Sequence, residues 1–249
     1  MSVWFCIPSA RPPEQVLPVT QAWHERGYKV ALWRDTECLP LAMNGGMDFS
    51  MTGGYPGYAQ AVNSLAAEVL KRDPACDWVV TGGDDTLPDP DHTAEGIAKQ
   101  CSHHFEFVTT TDGNTLPTGN PATFGVMQPT GDRFAGGCID RIAGSPWLGR
   151  EWCLRANGGS GPYWPEFTHM FGDECLKRTA EKLGVYWARP DLVHKHNHFQ
   201  RESDAIDARA VQKPVPPHLA KWNTRAHWDE MQAIFRSLEA EDFAPCMPK

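Results

Sequence analysis

The sequence predicts an α/β fold in which helices flank a mainly parallel central sheet. Short apolar runs alternate along the chain with amphipathic stretches, and residues 1–35 already follow the order strand, helix, strand. The chain has 249 residues, of which 41% are hydrophobic, so it is long enough for one large domain with a full core or for two small ones. We expect a single domain.

Each element follows from the spacing of apolar residues and from the residues that interrupt it. Apolar runs that end at a breaker such as Pro8 predict strands, whereas apolar residues three and four apart, such as Val16, Val19 and Trp23, predict helices. In chain order, the pattern predicts a strand at residues 2–7, a helix at 14–26, a strand at 28–33, a helix at 62–70, strands at 77–81, 105–110 and 122–127, a helix at 173–183, a strand at 185–193 and a helix at 228–238.

Two stretches are expected to lack regular structure. The segment from Gly113 to Gly161 is rich in Gly, Pro, Asn and Thr, which is typical of loops that cover a site. Pro214, Pro216 and Pro217 form a stiff linker, and we expect the helix after it to pack back on the domain.

Charge and composition argue against several classes of protein. No run of about 18 apolar residues occurs and no signal peptide is recognised, so we expect a cytoplasmic protein with no membrane partner. The formal net charge of -8 opposes a general affinity for nucleic acid. The eight cysteines are scattered and include no CxxC pair, so we expect them to be reduced and buried.

The strongest candidate for chemistry is the turn Gly82-Gly83-Asp84-Asp85, which follows the strand at 77–81. Ligands of open α/β sheets bind outside the carboxyl ends of the strands, and carboxylates are hard ligands suited to Mg²⁺ or Mn²⁺. Such an ion would bridge to a diphosphate. The alternative is a polar turn in which Asp84 or Asp85 caps the segment that follows. The sequence of the turn alone does not distinguish a metal site from a polar turn.

Three histidines, His194, His196 and His198, come directly after the last strand predicted for the sheet. If the strand continues through them, its period of two places all three imidazoles on one face, where they can bind Mn²⁺, Zn²⁺ or Fe²⁺. The alternative is one core histidine and two in solvent. The density of histidine favours a metal or substrate site.

Asp173 and Glu174 stand at the start of the helix predicted at 173–183. Carboxylates in a first helical turn are usually caps, because they interact favourably with the helix dipole. A carboxylate there can also act as a general base that takes the proton from an acceptor hydroxyl.

The segment Gly53–Tyr58 precedes the helix that carries Asn63. Its backbone N–H groups can hold a phosphate, and Tyr55 or Tyr58 can stack on a base, but a simple helix-entry turn explains the segment equally well. It matches neither the dinucleotide-binding motif nor the ATPase phosphate loop.

Taken in chain order, these motifs resemble the GT-A glycosyltransferases, especially the family 2-like proteins of bacteria and phages. The first strand ends in a Pro/Ser loop, as in that family, and Asp35 stands where the family has an acidic residue that contacts the nucleotide base. The residues that match the family's nucleotide-binding positions are Pro8, Ser9, Arg11, Asp35, Gly57, Asn63 and Asp84.

The resemblance also implies metal ligands and a base. The family's DxD motif corresponds to Gly83-Asp84-Asp85, in which Gly replaces the first Asp, so Asp85 is the expected metal ligand and Asp84 assists it. A metal-binding His after a late strand is matched by the histidine cluster, with His196 as the first candidate and His194 as the second. The late acidic pair of the family corresponds to Asp173 and Glu174, either of which is the candidate base.

What the resemblance implies is a single GT-A (Rossmann-like) domain at residues 1–200, with a nucleotide-sugar half up to residue 112 and an acceptor half from residue 113, followed by a linker and helix at 201–249. The implied enzyme uses Mn²⁺ or Mg²⁺ to transfer a sugar from a nucleoside diphosphate sugar to an acceptor hydroxyl, with inversion. The rivals are a metal-dependent nucleotidyltransferase, a noncatalytic nucleotide-sugar binding protein and a zinc hydrolase.

Two acceptors are expected: a saccharide, or a nucleic-acid base that carries a hydroxymethyl group, which a phage-encoded enzyme would meet in the host cytoplasm. Binding a duplex would need a basic face. The sequence offers Arg133, Arg141, Arg150, Arg155 and Arg201 for it.

Overall fold

The structure is a computed structural model that describes residues 1–36, 46–109, 111–112 and 114–249. The strands are β1 Ser2–Ser9, β2 Lys29–Asp35, β3 Phe49–Gly53, β4 Cys76–Thr81, β5 Thr86–Leu87, β6 Phe107–Thr109, β7 Thr115–Pro117, β8 Val126–Pro129, β9 Trp147–Gly149, β10 Tyr186–Arg189 and β11 Lys195–His196. The helices are α1 Pro13–Glu25, α2 Tyr58–Arg72, α3 Ala94–Glu106, α4 Phe134–Gly137, α5 Arg150–Arg155, α6 Gly172–Lys182 and α7 Arg225–Ala240.

The central sheet has seven strands in the order β10, β8, β9, β4, β1, β2, β3. All neighbours pair in parallel except β9, which is antiparallel to both β4 and β8. The predicted α/β fold with a mainly parallel sheet flanked by helices is therefore confirmed. From β1, the chain adds β2 and β3 on one side and then β4 on the other, so the strand order reverses between β1 and β4. Open α/β sheets bind ligands at such a point.

The core lies between the sheet and helices α1, α2 and α3, which pack on it. Phe5 of β1 stacks on Trp23 of α1 with ring centroids 3.7 Å apart. Helix α7 buries Met231, Phe235 and Leu238, whereas Trp228, which was expected on the same face, is 41% exposed.

Several elements differ from the sequence prediction. Residues 105 and 106 end helix α3, which Thr93 caps by accepting a hydrogen bond from Gly96 N, so the strand expected at 105–110 begins only at Phe107. Strands β8 and β9 lie in the middle of the sheet, although most of the segment that supplies them was expected to be loop. The strand expected at 185–193 ends at Arg189.

None of the helices formed by the described residues is long and apolar enough to span a membrane. Seven cysteines lie in the described part of the chain and are free thiols, six of them buried. Cys38 lies outside the described residues. The division of the chain at residues 112 and 200 remains a prediction.

Candidate functional site

A cavity of about 300 Å³ lies where β1, β2 and β4 end. Because the carboxyl ends of parallel strands share one edge of a sheet, side chains that follow these strands come together there. Many of the predicted site residues line this cavity, namely Pro8, Ser9, Arg11, Asp35, Asp84, Asp85, Asp173 and His196. The other four, Gly57, Asn63, Glu174 and His194, are not part of its wall.

The acidic turn is held by Ser9, the last residue of β1, and by Arg11, which follows that strand. Arg11 Nε lies 2.9 Å from Asp84 Oδ1, and Arg11 Nη2 lies 2.7 Å from Asp85 Oδ2. Ser9 Oγ donates a hydrogen bond of 2.5 Å to Asp84 Oδ2. The two carboxylates therefore point back across β1 and do not cap the segment after the turn. Asp89 takes that capping role by accepting the amides of Asp91 and His92.

The lack of a side chain at Gly83 leaves room for the Asp85 carboxylate. A β-carbon there would lie 2.5 Å from Asp85 Oδ1, so the carboxylate would have to move. The amide of Gly83 donates to Thr86 Oγ1, and its carbonyl accepts from Thr86 N, so the turn is fixed locally. A side chain at position 83 would therefore displace the Asp85 carboxylate from its observed orientation.

His196 faces Asp85 from β11. This strand pairs antiparallel with β5, and Asn197 N donates to the carbonyl of Asp85 at 2.8 Å, so the histidine strand is tied directly to the acidic turn. His196 Nε2 lies 3.1 Å from Asp85 Oδ1. His198 also lines the cavity, with its ring centroid 5.1 Å from that of His196.

The three histidines do not share the face of one strand. His194 lies before β11 and is 4% exposed. Its Nδ1 lies 2.8 Å from Ser145 Oγ, and its ring packs edge-on against Trp23 with centroids 5.0 Å apart. The expectation of three aligned imidazoles is therefore wrong, because the chain turns between β10 and β11 and restarts in a different sheet.

Charge and burial shift the pKa values of this cluster. Burial, aided by the charge of Asp85, raises the pKa of Asp84 to about 6, although Arg11 opposes the shift. Burial would also raise the pKa of Asp85, but the charge and hydrogen bond of His196 and the charge of Arg11 outweigh it and hold that pKa below its usual value. Burial, together with the charge of His196, lowers the pKa of His198 to about 4. The neighbouring His196 and Arg11 therefore keep the Asp85 carboxylate ionised.

A buried ion pair fixes the backbone of His196. Asp132 Oδ2 accepts the His196 amide at 2.8 Å, and Arg201 Nη1 donates to the His196 carbonyl at 2.8 Å. Arg201 and Asp132 also join through two contacts of 2.9 Å. Sequence reasoning missed this pair, since nothing in the spacing of two residues so far apart indicates a contact.

Asp173, and not Glu174, reaches the cavity from the first turn of α6. Asp173 Oδ1 accepts the amide of Glu174 at 2.9 Å. Burial, aided by the nearby charge of Glu174, raises the pKa of Asp173. Glu174 instead lies 3.6 Å from Arg178 on the helix surface. Asp173 thus has the position and the perturbed pKa expected of a general base.

Gly57 and Asn63 have structural positions. Gly57 has φ of 101°, and a β-carbon there would lie 2.8 Å from Thr168 Cα. The amide that follows, Tyr58 N, donates to Thr168 O at 2.6 Å, so it is not available to a phosphate. Asn63 is buried and bonds to both the carbonyl and the amide of Tyr163. Tyr163, which sequence reasoning did not select, is thereby placed in the cavity wall.

Asp85 and His196 are the side chains that would hold a divalent cation, since a carboxylate oxygen and an imidazole nitrogen are both metal ligands. Their facing atoms are 3.1 Å apart and share a hydrogen bond, which a bound ion would replace. Within the described ranges, no group of three or more His, Cys, Asp or Glu side chains can hold a metal ion alone. Two protein ligands suit an ion that completes its shell with water and substrate phosphates, as Mg²⁺ commonly does.

The arginines expected to form a basic face do not all face solvent. Arg201 is 6% exposed and paired with Asp132. Arg150 donates to the carbonyls of Cys76 and Leu70, which places it against the core. These two arginines are therefore not available to the basic face that binding a DNA duplex would need.

Comparisons with protein-family models and with curated proteins give no match for this chain. Fold and site together define an α/β protein with a charged cavity at the strand-order reversal of a mainly parallel sheet. A particular family is not shown.

Proposed function

We propose that this protein is a metal-dependent glycosyltransferase that uses a nucleoside diphosphate sugar as donor. The observation that carries the proposal is the common cavity of Arg11, Asp85, His196 and Asp173. Arg11 contributes a positive charge, Asp85 and His196 are the candidate metal ligands, and Asp173 is the candidate base, all within one cavity. The position of this cavity at the strand-order reversal supports a nucleotide ligand.

Asp85 and His196 would hold a divalent ion, with Asp84 beside them. When bound, such an ion stabilises the negative charge of the departing diphosphate. Arg11 places a guanidinium, which is suited to phosphate oxygens, next to the same carboxylates. The Asp173 carboxylate takes the proton of the acceptor hydroxyl, whose oxygen forms the bond to the anomeric carbon as the bond to the diphosphate breaks. Attack from the side opposite the leaving group inverts the anomeric configuration.

A saccharide is the acceptor that the proposal favours. The inward positions of Arg150 and Arg201 remove two of the charges that duplex binding would need. The zinc hydrolase is disfavoured as a rival because His194 is turned toward Ser145 and does not join the other two imidazoles.

The test is the identity of the leaving group. The protein is incubated with Mn²⁺, a panel of nucleoside diphosphate sugars and saccharide acceptors, and the products are separated by chromatography and mass spectrometry. We expect release of a nucleoside diphosphate and an elongated acceptor. Asp85→Asn is expected to lower the rate by about 100-fold or more, because charge stabilisation at the leaving group is lost.

Asp204→Asn is the control, since Asp204 is 96% exposed and bonds only to Lys195 in the described contacts. Formation of a nucleoside diphosphate sugar and pyrophosphate from a nucleoside triphosphate and a sugar 1-phosphate, with no sugar transfer to the acceptors, would instead identify a nucleotidyltransferase. Full activity of Asp85→Asn would exclude the proposed site.

A further inference from the structure

The C-terminal segment forms part of the cavity wall. After the linker prolines, a short turn at Pro217–Leu219 leads to residues 220–224 and helix α7. His218, Leu219, Trp222 and Asn223 of this stretch line the same cavity as Arg11 and the acidic turn. The segment is thus more than a packed extension, because the cavity lacks one wall without it.

Trp222 is held in a defined orientation at this wall. Its ring lies edge-on to Tyr55 with centroids 5.6 Å apart, and near His227 with centroids 5.2 Å apart. His227 is itself fixed, since its Nε2 lies 2.9 Å from Thr168 Oγ1. Trp222 remains partly exposed within the cavity. Tyr55 and Trp222 therefore form an aromatic corner with polar neighbours.

The aromatic corner adjoins the charged cluster. Tyr55 and His218 line the same cavity as Arg11, Asp84 and Asp85. A ligand that contacts both the aromatic corner and the charged cluster must have two parts. One is a flat ring, and the other is a group that binds beside Arg11 and Asp85.

We infer that Trp222, together with Tyr55, forms a stacking subsite for the nucleobase of a nucleoside diphosphate, so that the C-terminal segment helps to determine which nucleotide binds. This inference rests on the proposed function, which places the diphosphate beside Arg11 and Asp85. Nucleobases stack on aromatic side chains, and loss of such a ring weakens binding by about fivefold to a hundredfold.

The test compares nucleoside diphosphates, which carry a nucleobase, with inorganic pyrophosphate, which does not. Titration calorimetry with Mn²⁺ present measures the affinity of the wild-type protein for UDP, GDP, ADP and CDP, and separately for inorganic pyrophosphate. Trp222→Ala is expected to weaken the preferred nucleoside diphosphate by at least about fivefold and to leave pyrophosphate binding unchanged. Trp222→Phe, which keeps a ring, is expected to retain most of the affinity.

Trp228→Ala is the matched control, because Trp228 is 41% exposed and does not line the cavity. Thermal unfolding of each variant shows whether the fold is retained. If nucleoside diphosphate and pyrophosphate both bind and Trp222→Ala weakens neither, this inference is overturned and the diphosphate site stands. If the wild-type protein binds neither ligand, the proposed function fails as well.

Discussion

Single residues in the acidic turn take their chemistry from neighbours in space. Asp84 and Asp85 are adjacent in sequence, yet Arg11 lies between their carboxylates and His196 contacts only Asp85. Burial raises the pKa of Asp84 to about 6, whereas contact with His196 outweighs burial at Asp85 and lowers its pKa. Two similar side chains thus acquire different properties, and Asp85 is the better cation ligand.

Sequence reasoning left Asp173 and Glu174 equivalent, and the geometry separates them. We expect Asp173→Asn to lower kcat by about 100-fold or more, because the amide cannot accept the proton of the acceptor hydroxyl. Donor affinity is expected to stay unchanged. Steady-state kinetics together with donor titration measures both quantities.

Glu174→Gln serves as the matched control, since Glu174 occupies the same helical turn but lies outside the cavity wall. Activity that falls with Glu174→Gln and persists with Asp173→Asn would reverse the assignment.

Among the elements, those with long apolar patterns and clear breakers were predictable from sequence. Strands β1, β2 and β4 and helix α6 lie close to their predicted positions, and they carry most of the site. Strand β9 spans only Trp147–Gly149, too short for its pattern to stand out, and the sheet around it determines its conformation. Contacts between distant elements, such as Asp132 with Arg201, leave no periodic signal at all.

Asp73 follows helix α2 and joins its end to β1 and β2, and its loss is expected to change the stability of the fold. Asp73 Oδ2 accepts hydrogen bonds from Ser2 in β1, Trp4 in β1 and Lys29 in β2. Burial acts to raise the pKa of Asp73, but these hydrogen bonds outweigh it, so the folded-state pKa lies below the unfolded value of about 3.9. The stabilisation is therefore present above pH 4 or so and is lost as pH falls through the folded-state pKa.

We expect Asp73→Asn to lower the free energy of unfolding by about 2 kcal/mol at pH 7, with a smaller difference from wild type at pH 3. Urea denaturation at both pH values measures this. Asp77→Asn is the control, because Asp77 is about one-third exposed and lies 3.8 Å from the N-terminal amine. An Asp73→Asn protein as stable as wild type at pH 7 would show that these hydrogen bonds contribute nothing net.

At the scale of the whole molecule, the cavity is assembled from segments spread along the entire chain. Charged residues at the ends of β1, β2 and β4 line one side of the cavity. Helix α6 contributes Asp173, and the segment before α7 contributes Trp222. The resemblance to GT-A glycosyltransferases covered residues 2–200 and so gave no role to this last wall. Only the tertiary fold brings the C-terminal segment over the acidic turn.

The most direct test of the proposed site is whether nucleotide binding depends on a divalent ion held by Asp85. Thermal unfolding of wild-type protein and of Asp85→Asn is followed with a nucleoside diphosphate, with Mn²⁺, and with both, because a ligand that binds the folded state raises the unfolding temperature. We predict that the two together stabilise wild type by more than the sum of their separate effects, and that this excess disappears in Asp85→Asn. An equal stabilisation by nucleoside diphosphate in EDTA, unaffected by Asp85→Asn, would contradict the account.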